Sequence, residues 1–99
     1  MTKLSKFDAA GYLDNQETIA AYLSEALQTG DSEYICHALN TIARAKGMTN
    51  VAKVTGLGRE SLYKTFSGNA KPEFETVRKV IQSFGFKLVA EPIETKRVA

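Results

Sequence analysis

Apolar residues recur along most of this chain at helical spacing. Ile19, Tyr22, Leu23, Ala26 and Leu27 fall at i, i+3, i+4, i+7 and i+8, forming one stripe. That stripe predicts a helix from about Gln16 to Thr29. Asp14 is the expected N-cap, with Glu17 at capping-box spacing, and Gly30 is the stop. A second helix is expected between Asp31, another good N-cap, and Gly47. Ile35, Ala38, Leu39, Ile42 and Ala43 make its core face, His37 projects almost opposite, and Arg44 and Lys46 suit its C-terminal dipole.

The pattern then shortens. Thr49 is expected to cap a third helix running through Thr55, with Val51, Ala52 and Val54 as packing residues. A fourth runs from about Arg59 to Phe66 and places Leu62 and Phe66 on one side. Pro72 opens a fifth, ending at Gly85, with Phe74, Val77, Val80, Ile81 and Phe84 as its stripe. Beyond Gly85, Phe86-Lys87-Leu88-Val89-Ala90 reads as a short strand. One strand cannot satisfy its own backbone, so the same strand of a second chain is the expected partner and a homodimer follows. Residues 91–99 read as a frayed tail.

Most distinctive is VAKVTGLGRESLYKTFSG, Val51 to Gly68. Ala52 carries only a methyl where two steeply crossed helices would nearly touch. Gly56, four residues on, suits a turn of positive φ. Leu57 can plug the corner from within, and Gly58 removes bulk where backbone could approach phosphate. This is the layout of a helix-turn-helix over about 49–67, with helix three as support and helix four as reader. Arg59, Glu60, Ser61 and Lys64 would occupy the exposed face of the reader. Arginine grips the O6/N7 edge of guanine bidentately, glutamate accepts from cytosine N4, and serine serves several edges. Thr49, Asn50, Tyr63, Ser67, Asn69 and Lys71 are the candidate phosphate contacts, which fix register rather than sequence. Taken singly the residues have duller readings: Glu60 and Lys64 form an i, i+4 ion-pair spacing, and Gly56 would also serve an ordinary helical hairpin.

Charge adds to this picture. Net charge is only +2, yet residues 1–43 hold two lysines against six acids, net −4. Residues 44–71 hold six bases against Glu60 alone, net +5. Positive potential therefore gathers around the Gly-Leu-Gly corner, as a polyanion-binding surface requires. Ninety-nine residues, 43% of them hydrophobic, suit one domain with a core. Neither a continuous apolar leader nor a run long enough to cross a bilayer is seen, and the lone cysteine fits a reducing cytoplasm.

Little in the sequence suggests catalysis. Cys36 and His37 are adjacent and about 100° apart on a helix, and no other Cys or His completes a zinc site or a His-based triad. Gly-Leu-Gly lacks the further glycines and strand of a nucleotide fingerprint. The expectation is a non-enzyme without metal or cofactor.

Val51–Gly68 resembles the helix-turn-helix of the lambda-repressor-like (Xre/HigA-type) superfamily, including the apolar-Ala pair, the Gly-Leu-Gly turn and the closing Phe-Ser-Gly. Around it, FDAAGYLDNQETIAAYLSEALQTGD, HALNTIARAKGMT and GLGRESLYKTFSGNAKPEFETVRKVIQSFGFKL are similar to the addiction-module antidote proteins of bacteria. The resemblance spans about Phe7 to Pro92. It implies an all-α, five-helix, lambda-repressor-like domain over residues 1–99, extended by the C-terminal strand. It also implies an antitoxin that neutralises a small toxin, often RelE-like and basic, and represses its own operon by binding double-stranded operator DNA as a homodimer. In that light the acidic residues 1–35, with Tyr12, Tyr22 and Tyr34, form a candidate toxin surface. Glu73 departs from the family pattern by standing where a serine N-cap is common, so helix five should start loosely. The rival readings are a stand-alone phage-type repressor and a protein-interaction domain that no longer reads DNA. A toxin-like neighbouring gene excludes the first, and specific promoter binding excludes the second.

Overall fold

In the computed structural model, residues 11, 13–67 and 71–93 are described. Among them are five α-helices: α1 (Gln16–Gln28), α2 (Ser32–Lys46), α3 (Met48–Thr55), α4 (Arg59–Thr65) and α5 (Phe74–Ser83). α1 packs on α2, α2 on α3, and α3 on both α4 and α5, so α3 is the junction of the fold.

Stripe spacing built the core. Leu39, Ile42 and Ala43 of α2 are fully enclosed, joined by Ile19 and Leu23 of α1, Val51 of α3, Leu62 of α4, and Val80 and Ile81 of α5. Each burial of a Leu or Ile side chain contributes about 1.5–3 kcal/mol. Cys36 belongs to this cluster, and burial pushes its thiol pKa up, making it a poor nucleophile. Three expected packing residues, Leu27, Val54 and Phe74, are exposed and not core residues. Val54 is 60% exposed and Phe74 is 69% exposed. Val54 sits on the short α3, whose inward side is taken by Met48 and Val51; Phe74 is the first residue of α5, ahead of the turn that meets the core.

Several boundaries differ from the sequence expectation. Asn15, not Asp14, caps α1: its side-chain oxygen accepts from Thr18 N–H at 2.8 Å, and it in turn donates to Asp14 Oδ1 at 3.2 Å. Asp31 caps α2 as expected, accepting from Glu33 and Tyr34 N–H. Thr49 does not cap α3. The helix begins one residue earlier, at Met48, whose buried side chain pulls the chain into register, and Gly47 stands at the cap without a side-chain bond. Pro72 lies ahead of α5, which begins at Phe74 behind Glu73, and Glu73 makes no capping bond. The exposed Glu75–Arg78 pair, 2.9 Å apart, spans the first turns instead.

The strand expected at residues 86–90 is absent; no strand occurs among the described residues. Apolar content alone cannot make a strand where no neighbouring backbone supplies the ladder. Residues 91–93 likewise lack regular structure, and the rest of the expected tail, residues 94–99, lies outside the described residues.

A long-range clasp ties the first and last helices to the end of α2. Gln16 Nε2 donates to the carbonyl of Phe84 at 3.2 Å, while its Oε1 accepts from Lys46 Nζ at 2.6 Å. One amide thus satisfies a C-terminal carbonyl of α5 and holds a charged side chain across the fold.

Removing the true cap should be distinguishable from removing its neighbour. Asn15→Ala should cost about 1 kcal/mol in urea unfolding, whereas Asp14→Ala should stay within about 0.5 kcal/mol of the parent. Leu39→Ala, at the centre of the core, should cost about 2–5 kcal/mol.

Candidate nucleic-acid interface

The corner between α3 and α4 is built from local bonds. Gly56 ends α3 in the left-handed region at φ 80°, and its N–H returns to the Ala52 carbonyl at 2.9 Å. A β-carbon there would be strained even though the space around it is open. Thr55 completes the turn: its hydroxyl donates to the Val51 carbonyl at 2.8 Å and accepts from Leu57 N–H at 3.2 Å. That role was missed in the sequence, although a threonine immediately before the turn glycine is the available signal. Leu57 is half-buried against the core cluster, as a corner plug should be. Gly58 then precedes α4 with extended backbone and nothing within 4 Å of a would-be β-carbon.

α4 is short, and two contacts settle its orientation. Leu62 is completely enclosed and Phe66, the residue after the last turn, is 3% exposed. With those two directed inward, Arg59, Glu60, Ser61, Tyr63 and Lys64 are all exposed. The four expected base-reading side chains therefore share one accessible helix. Glu60 and Lys64 make no ion pair or hydrogen bond with each other among the described residues, so neither is tied down by its i, i+4 neighbour.

The expected phosphate-contacting residues are more dispersed. Thr49 and Asn50 are exposed in the first turn of α3, where unpaired backbone N–H groups and the helix dipole favour an anion. Tyr63 and Ser67 are exposed on and just beyond α4, with Ser67 Oγ donating back to the Lys64 carbonyl at 2.9 Å. Lys71 is exposed on the connection toward α5, and Asn69 lies outside the described residues. Among the six bases of the +5 segment, Arg44, Lys53, Arg59, Lys64 and Lys71 stand exposed, whereas Lys46 is drawn toward Gln16.

The acidic N-terminal side is partly described. Glu17, Glu25, Asp31 and Glu33 are exposed. Tyr34 is half-exposed, but Tyr22 packs against the core, and Tyr12 lies outside the described residues. Asp31, Glu33, Tyr34, His37 and Phe66 line a shallow recess of about 340 Å³. No cluster of three or more His, Cys, Asp or Glu side chains able to hold a metal occurs among the described residues, and no described helix is long and apolar enough to cross a membrane.

Residues 3–92 match the model of a family described as "Probable addiction module antidote protein". The chain belongs to that antidote family. A relative from Haemophilus influenzae (strain KW20/Rd), described as "Uncharacterized protein", is 42% identical over 85 residues, which cover 86% of this chain and 88% of the relative. No solved structure matches the chain. Membership of the antidote family points to an antitoxin of a toxin–antitoxin module, with a toxin as partner.

The corner of this antidote-family chain can be tested by stability alone. Gly56→Ala should lower stability by about 1–2 kcal/mol, since alanine must adopt the left-handed region. Gly58→Ser, at φ −76° in open space, should remain within about 0.5 kcal/mol of the parent. Thermal unfolding followed by circular dichroism compares the two directly.

Proposed function

We propose that the protein is an antitoxin that also binds its own operator as a homodimer through a helix-turn-helix formed by α3 and α4. The observation that carries this reading is the division of α4: Leu62 and Phe66 are buried, while Arg59, Glu60, Ser61 and Lys64 stand exposed on the same short helix. The exposed face of this seven-residue helix carries Arg59, Glu60, Ser61 and Lys64 beside Tyr63, and the chemistry of those four matches base edges in a major groove. Lys53 and Lys71, with Thr49 and Asn50 at the start of α3, supply the surrounding phosphate contacts and the counterion-release term. In the homodimer, two copies of α4 separated by about 34 Å would read half-sites one helical turn apart.

The toxin surface is assigned to the acidic side of α1 and the start of α2. Exposed Glu25, Asp31 and Glu33 speed encounter with a small basic protein, and Tyr34 at the mouth of the recess provides the aromatic anchor. A RelE-like toxin, basic because it acts on RNA, fits that complementarity. Repression and neutralisation then use opposite charge on different helices, allowing both in one small chain.

Binding to the gene's own promoter, measured against random DNA at several salt concentrations, tests the DNA half of the proposal. Arg59→Ala should lose about 1–3 kcal/mol of discrimination at one base position. Lys71→Ala should weaken all sequences alike and reduce the salt slope by about one. Equal, weak retention of promoter and random DNA by the unaltered protein would overturn specific reading. Co-purification from the intact operon tests the toxin half, and Tyr34→Ala with Glu33→Lys should reduce recovery of the partner.

A further inference from the structure

The segment after α5 has unusual backbone status. Phe86 N–H returns to the Ile81 carbonyl at 3.3 Å, and from Lys87 to Ile93 no backbone group makes a hydrogen bond among the described residues. Phe86 is half-buried on the core, Leu88 is 43% exposed and Val89 is 70% exposed. Phe86 and Leu88, two residues apart, are thus less exposed than Val89. They help wall a groove of about 770 Å³ with Leu23 and Leu27 of α1 and Ile81 of α5. Leu27 is itself partly exposed.

The sequence of this segment is self-complementary when reversed. Antiparallel pairing of two copies about Val89 sets Lys87 opposite Glu91 of the second copy, and Glu91 opposite its Lys87. Directly opposite side chains lie about 4.5–5.5 Å apart at Cβ, close enough for both ion pairs. Moving the axis by one residue sets Lys87 against Val89 or Ile93 and breaks both pairs. The proline agrees with the same register. Antiparallel pairs alternate between hydrogen-bonded and non-hydrogen-bonded positions. Placing Val89 opposite Val89 as a hydrogen-bonded pair puts Phe86 opposite Pro92 at a non-hydrogen-bonded one, where a missing N–H costs nothing. Phe86, Leu88 and Ala90 of both copies then share one apolar face, while in the single chain Lys87, Val89 and Glu91 line the groove beside α1 together with Phe86 and Leu88.

We infer that residues 86–92 are the homodimer interface, pairing antiparallel with the same segment of a second copy about Val89, with reciprocal Lys87–Glu91 ion pairs. This deepens the homodimer reading above and rests on it. It also explains why a segment of strand composition is irregular in one chain: its ladder partner is the other copy. The pairing closes one edge of the segment that would otherwise invite promiscuous pairing.

Sedimentation equilibrium of the full chain, without DNA, decides the matter. The unaltered protein should be dimeric at micromolar concentration. Lys87→Glu and Glu91→Lys should each weaken the dimer by about tenfold or more, since each turns both attractive pairs into repulsive ones. Mixing the two variants should restore association as a one-to-one heterodimer. The glutamate introduced at position 87 then meets the lysine introduced at position 91, and the unchanged Glu91 of one variant meets the unchanged Lys87 of the other. That restoration also shows both variants to be folded. A dimer indifferent to either reversal would overturn this register while leaving the homodimer reading intact. A monomeric unaltered protein would overturn both.

Discussion

The burial of Leu62 and Phe66 is the constraint on which the candidate DNA-reading surface depends. α4 is too short to be stable by itself, because helix nucleation is costly and seven residues offer few internal bonds. Its existence and its orientation therefore come from two side chains lodged in a core made by other helices. Once these are enclosed, the remaining positions of α4 have only solvent to face. The corner at Gly56 makes this possible by ending α3 abruptly enough for Leu62 to turn back toward Val51 and Leu39.

Charge is arranged around this scaffold by region. The +5 segment, residues 44–71, contains the corner and α4, while six of the eleven acids precede residue 44, among them Glu17 and Glu25 of α1 and Glu33 of α2. Such separation suits the two partners proposed above, operator DNA and a basic toxin, in a member of the antidote family. The fold does not leave every base available. Lys46 is recruited by Gln16, whose other amide group holds the Phe84 carbonyl, so one cation of the basic segment serves the clasp among α1, α2 and α5.

The C-terminal segment follows a different logic. Its composition suits a strand, yet a strand is defined by a neighbour, and this chain folded alone has none to offer among the described residues. In the proposed pairing, the reversal symmetry of Lys87 and Glu91 about Val89 would make a second copy that neighbour. A dimer so formed would carry two outward α4 helices as one unit, linking the segment's pairing to the reading of two half-sites.

By itself the sequence determined the five helices, most of their core residues, the glycine corner and the candidate reading helix. Those features depend on spacing within a few residues: a 3.6-residue stripe, an Asp31 cap, a glycine four residues after alanine. What tertiary structure decided was subtler. Met48 in the core displaced Thr49 from the cap, Asn15 rather than Asp14 met the Thr18 N–H, and Val54 and Phe74 were left outside because no other helix reached them. The missing strand is of the same kind. Periodicity specifies which side of an element is apolar, but only the assembled neighbours determine whether that side, or that backbone, finds anything to meet.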